Sequence, residues 1–131
     1  MAEQSKSALL TYVKYRHELD SEHSRLCKCL RLILADGIGT QASKQINKLG
    51  SFLEILKHHH ETENAMLPTV CPDNWQTHFK AHGEIENLAT HIRDLAQAEN
   101  SVSLPDVARL LNILEQHILV MDKDLAAALD G

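Results

Sequence analysis

Several things are scarce in this chain, and each scarcity narrows the reading. Lysine and arginine number 13 against 18 acidic residues, a net charge of −5. A nucleic-acid backbone is therefore not the expected partner, because that role needs concentrated positive charge. No apolar run approaches the roughly 20 residues of a membrane span. The N-terminal stretch MAEQSKS is polar and has no apolar signal core, so a cytoplasmic protein is expected. Cysteine is limited to Cys27, Cys29 and Cys71, with no second pair to complete a cysteine metal site. Reduced thiols are expected, with Cys27 packed as a small hydrophobe. Linkers, repeats and low-complexity tracts are absent, and 131 residues suit one domain spanning 1–131. Aromatic side chains are few, five of the Phe, Trp and Tyr kind, yet there are 9 histidines. Imidazole is the unusual ingredient.

Those histidines fall on helical periods. Residues 8 to about 35 form the first expected helix, with Val13, Arg16, Leu19, His23, Leu26, Leu30 and Ile33 at spacings of three and four. Asp36, Gly37 and Gly39 supply the chemistry that ends it. A second helix is expected from about Thr40 to Leu67, stopped by Pro68. A third opens near Asp73 or Asn74, either a good cap, and buries Trp75, His78, Phe79, His82, Ile85, Leu88 and Ile92. A fourth starts at Ser103-Leu104-Pro105-Asp106, with a Ser cap and Pro in the first turn. Three short connections between four long helices imply an all-α, up-down-up-down antiparallel four-helix bundle.

Each helix carries metal-ligand types on its apolar face. His59 and Glu63 are four residues apart and stack on one face, as do His78 and His82. His58 and His60 lack a carboxylate four residues on, so His58 is expected in solvent and His60 beside the ligand face. His17 and His91 are expected at the surface. A lone His23 on a buried stripe is more often a hydrogen-bonded core residue than a ligand, and the other helices must change those odds. The partner of His117 is either Asp122 or Asp124. Seven residues return Asp124 to nearly the same face but about 10.5 Å along the axis, whereas Asp122 lies about 7.5 Å along and is rotated away. A π-type widening would swing residue i+5 back into line, and such bulges favour functional sites. Asp122 is chosen on that ground.

Glu63 precedes the Pro68–Asp73 connection by as many residues as His78 follows it, and His23 and His117 lie at similar depth from the other end. All four clusters can meet in one layer. Five imidazoles and two carboxylates exceed what one zinc needs and suit two transition-metal ions. No Glu has a His three residues on, which disfavours the ferritin-like di-iron pattern.

Over nearly its whole length the chain resembles the hemerythrin family. The resemblance rests on LDSEH, His59-x-x-x-Glu63, His78-x-x-x-His82 and His117-x-x-x-x-Asp122. It implies two iron ions bridged by Glu63, Asp122 and a solvent-derived oxo or hydroxo group. His78, His82 and His117 would hold one ion. His23 and His59 would hold the other, which keeps an open position for dioxygen. Three departures stand out. The residue after the second-helix ligand is usually Phe and here is His60; the usual second Glu is Asn64, with the following Met shifted or replaced; and the Trp common near the N-terminus is missing. In the family that Phe helps wall the oxygen pocket, whose other walls would be Leu26, Leu114 and Ile118. An imidazole there brings water and a proton source, which suits a sensor better than a carrier.

The expected function is thus a dioxygen-binding oxygen or redox sensor, the sensory part of a larger signalling protein with a fused or separate output domain. The end at Leu129-Asp130-Gly131, just after the fourth helix, is compatible with such a fragment. The alternatives are a free-standing oxygen carrier or store, and a di-iron peroxidase or oxygen- or NO-detoxifying enzyme. The plainest alternative is a bundle whose buried histidines hold no metal.

Overall fold

The computed structural model describes the backbone of residues 2–36 and 41–130, and within those ranges the side chains from residue 17 on, except Ala126, Leu129 and Asp130. The expected roles of Val13, Arg16, Gly37, Gly39 and Thr40 lie outside the described residues. Helix α1 runs Ala2–Asp36, α2 Ala42–Val70, α3 Trp75–Glu99 and α4 Leu104–His117. A single π turn, Ile118–Asp122, follows α4, and α5, Lys123–Asp130, continues the same rod. Helix α1 packs on α2 and α4, and α3 closes the ring between α2 and α4. With short connections this is the antiparallel four-helix bundle that the helical spacings imply.

The helix ends follow local chemistry, with two differences from expectation. The Ser103 hydroxyl accepts from the Asp106 amide at 3.4 Å, and Pro105 sits in the first turn of α4, as expected. Asn74 does precede α3, but its side chain makes no cap hydrogen bond. At the far end Asn100 adopts the left-handed conformation (φ 51°, ψ 39°), which asparagine tolerates. Pro68 does not stop α2; the helix continues to Val70, and the Cys71 amide donates to the Leu67 carbonyl at 2.7 Å. So close to the end, proline removes only one ladder bond, to the carbonyl of Asn64.

Two apolar clusters fill the bundle. The larger gathers Leu26, Leu30, Ile33, Phe52, Leu56, Ile85, Ile92, Leu110 and Leu114, with Cys27 packed among them. The smaller holds Leu19, Met66, Leu67 and Leu125 against Trp75 and Val70. Every helix passes from one cluster to the other, and the residues between them are the polar ones: His23, His59, His60, Glu63, His78, His82, His117 and Asp122. All of these but His23 are buried. Phe79 departs from expectation. It is 51% exposed, because a step of about 100° per residue from the inward-facing His78 carries it out of the core.

Candidate metal centre

Four rods bring seven predicted side chains into one layer. On α2, His59 Nε2 lies 2.9 Å from Glu63 Oε1, the contact that their four-residue spacing allows. From α3, His82 Nε2 reaches to 3.4 Å of the same Glu63 oxygen. Asp122 stands between three helices. Its Oδ2 is 2.9 Å from His23 Nε2 of α1, and its Oδ1 is 2.9 Å from His78 Nε2 of α3 and 3.1 Å from His117 Nε2 of α4.

The π turn explains how Asp122 gets there. Over Ile118–Asp122 the backbone bonds to the fifth rather than the fourth residue back, so one turn takes an extra residue. Residue i+5 from His117 then falls where i+4 would otherwise be. Asp122 is buried and Asp124 exposed, the choice the sequence reasoning made between them.

Donor atoms converge in two groups, each with its atoms within 4.8 Å of one another: His78, His82, His117 and Asp122; and His23, His59, Glu63 and Asp122. Asp122 belongs to both. Nε2 of His23, His82 and His117 and both oxygens of Glu63 are buried without an aligned hydrogen-bond partner, although carboxylates and imidazoles stand close by. A buried polar atom left so costs about 1–3 kcal/mol, and several aimed into one space mark a place built for something else. Two ligand bonds of ~2.1 Å at right angles put their donor atoms about 3 Å apart, the spacing found here. The residues therefore fit a pair of metal ions sharing Asp122.

Charge in the layer is polarised in the same sense. Burial pushes the Asp122 carboxyl up, but His117, His23 and His78 outweigh it and hold the group far below the usual carboxylate range. Burial likewise opposes ionisation of Glu63, and His59 and His82 outweigh it. His59 is raised: burial works against its charged form, but Glu63, Asp122 and Glu22 favour it more. His82 is lowered, chiefly by burial. The anionic carboxylates and the neutral His82 ring are in the forms a cation requires of its ligands, and at His59 a cation would take the place of the proton that its carboxylate neighbours favour.

Two residues outside the predicted set orient those imidazoles. Glu22 Oε1 accepts from His59 Nδ1 at 3.3 Å, and Asn64 Oδ1 accepts from His82 Nδ1 at 2.7 Å. A hydrogen on Nδ1 leaves each Nε2 lone pair facing the cluster, the usual arrangement behind a metal-bound histidine. Glu22 stands in the LDSEH stretch next to His23, but nothing in one chain's periodicity says that it crosses to α2. Asn64 shows only as a departure from the family pattern.

His60 lies beside the ligand face as expected, and it is only 1% exposed. Its ring stacks on that of His82 with centroids 3.9 Å apart and planes 10° from parallel. It belongs to neither donor group. Of the other expected pocket residues, Leu26 and Leu114 are buried and Ile118 is half-buried, all within the larger apolar cluster. His17, His58 and His91 are exposed.

Fold and layer together define a helical-bundle domain with a His/Glu/Asp cluster able to bind metal. A family model agrees: the hemerythrin HHE cation-binding domain matches residues 15–129, so the chain belongs to that family. Comparison with curated proteins finds no match, and comparison with solved structures finds none either. Among the described residues no helix is long and apolar enough to cross a membrane.

Proposed function

We propose that the chain, taken as one domain over residues 1–131, is a non-haem di-iron centre that binds dioxygen and reports oxygen or redox state in the cytoplasm to a fused or separate output domain. The observation that carries this reading is that Asp122 belongs to two donor groups at once, which suits two ions bridged by a carboxylate and not one tetrahedral ion. His78, His82 and His117 would hold one ion; His23 and His59 would hold the other, with Glu63 as the second bridge. When bound, such a pair supplies electrons to dioxygen and takes them back.

The chain's own residues supply the rest. Glu22 and Asn64 hold the His59 and His82 rings in the ligating tautomer. Leu26 and Leu114 exclude bulk water from one side of the layer, while His60 offers polar atoms where the family usually has an apolar ring. A polar pocket shortens the life of an oxygen adduct, which favours a sensor over a free-standing carrier.

The test is metal analysis with optical spectra of the reduced protein before and after air. The expected result is two iron ions per chain and a charge-transfer band that appears with oxygen and then decays, more slowly in His60→Phe. One tetrahedrally bound ion, or none, overturns the reading. A decay rate unchanged in His60→Phe overturns the role given to His60. Steady turnover with peroxide would point to the enzyme instead.

A further inference from the structure

His60 has no structural reason to be an imidazole. It is 1% exposed, and neither ring nitrogen has an aligned hydrogen-bond partner within the protein. A phenyl ring would fill the same space and keep the stack on His82 without leaving polar atoms buried and unmet, a cost of about 1–3 kcal/mol each. One polar neighbour stands at its outer edge. Glu86, one helical turn beyond His82 on α3, is part-exposed and puts Oε2 3.1 Å from His60 Nδ1, at hydrogen-bond distance though out of line.

That contact sets the direction of the ring. An ionised carboxylate can only accept, so closing the hydrogen bond requires the hydrogen to be on Nδ1. Nε2 is then left as a lone pair. It is wholly buried, and the rings of His59, His82 and His117 stand near the His60 ring, with centroids 5.9, 3.9 and 6.4 Å away. Nε2 of each of those rings faces Glu63 or Asp122, and no described side chain donates to His60 Nε2. A donor on a small molecule bound in the layer would meet that lone pair.

We propose that Glu86 and His60 form a hydrogen-bond-accepting arm that recognises a protic ligand at the metal centre, one carrying an O–H, such as hydrogen peroxide, in preference to an aprotic one such as azide. The inference rests on the metal-centre reading above and adds the class of ligand. His60 acts on the outer atom of the ligand, and Glu86 positions His60.

Two measurements test it, and they fail separately from the metal reading. Nitrogen-15 NMR of the full chain, metal-free and zinc-loaded, reads the His60 tautomer whether or not iron is the native ion. Hydrogen on Nδ1 is expected, and that preference should weaken in Glu86→Leu; hydrogen on Nε2 overturns the proposal. On the oxidised, iron-loaded protein, hydrogen peroxide and azide are each titrated optically. His60→Phe should weaken peroxide binding roughly tenfold, the worth of one hydrogen bond, and leave azide within about twofold. Glu86→Leu should shift the ratio the same way by a smaller factor. Parallel changes for the two ligands overturn the proposal, because a merely structural ring would affect both alike. A protein that takes up no metal ends the di-iron reading, while the tautomer still decides the direction of the arm.

Discussion

The apolar cluster around Phe52 and the polar layer beside it are made by the same four helices, yet they are finished to different degrees. Phe52, Leu26, Leu30 and Leu110 are fully buried, and each is satisfied by its neighbours. In the polar layer, buried nitrogens and oxygens from four helices face one another without aligned partners. The first region stabilises the fold by contacts wholly inside the protein. The second gathers donor atoms able to bind a cation. A bundle can therefore hold its shape through one layer and leave another free to serve a ligand.

The sharpest way to separate the regions is a pair of substitutions. Asp122→Ala removes the one donor common to both groups, so metal uptake should be lost at both positions while helix content by circular dichroism stays. Phe52→Ala should do the reverse. It should lower unfolding free energy by about 3–5 kcal/mol in denaturant titrations and leave metal stoichiometry unchanged. If Phe52→Ala also empties the centre, the two layers are not independent.

Glu22→Ala tests the orienting contacts alone. Isothermal titration should show metal affinity falling about 10- to 100-fold, with no loss of stability in the metal-free chain. Acid sharpens the comparison further. Burial, with the neighbouring imidazoles of His82, His59 and His117, pushes His60 from 6.5 down to about 2. The unfolded chain therefore takes up a proton at His60 below about 6.5 that the folded chain refuses. By linkage, metal-free stability falls as pH drops from about 6.5 toward about 2. Denaturation midpoints measured from pH 7.5 to 5 should decline less steeply in His60→Phe than in the parent. The smallest effect expected is Ser103→Ala, about 1 kcal/mol from the lost cap, with no change in metal affinity.

Much of this was legible along the sequence because helices write their buried face in steps of three and four. Leu19, His23, Leu26 and Leu30, or Leu49, Phe52, Leu56, His59 and Glu63, show which side of a rod faces inward. Phe79 did not follow, because aromatic character is not a position on the wheel and its neighbour His78 already occupies the inner line. Pro68 misled because a proline near a helix end costs one bond, not the helix. Glu22 and Glu86 were harder still. Their partners lie across a helix interface, and the rotation of one helix against another is not written in either helix's own period. The bend that turns Asp122 inward was reachable because rise and rotation disagreed unless a π-type widening was supposed, and the family spacing pointed to the same residue.

That bend also sets the phase of the last rod. An α-helical turn and a π turn differ by one residue, so Ile118–Asp122 takes up one residue more than a straight helix would. The extra residue offsets everything after it by one position, about 100° on the wheel, and Leu125 keeps its place in the smaller apolar cluster only with that offset. Deleting one residue such as Val120 would move Asp122 to the fourth position after His117, where an ordinary α-helical turn already carries it to the same face. Relatives sought by spacing should be asked for an acid five positions after the last histidine, with four residues between them, since a four-position step describes a helix without the π turn.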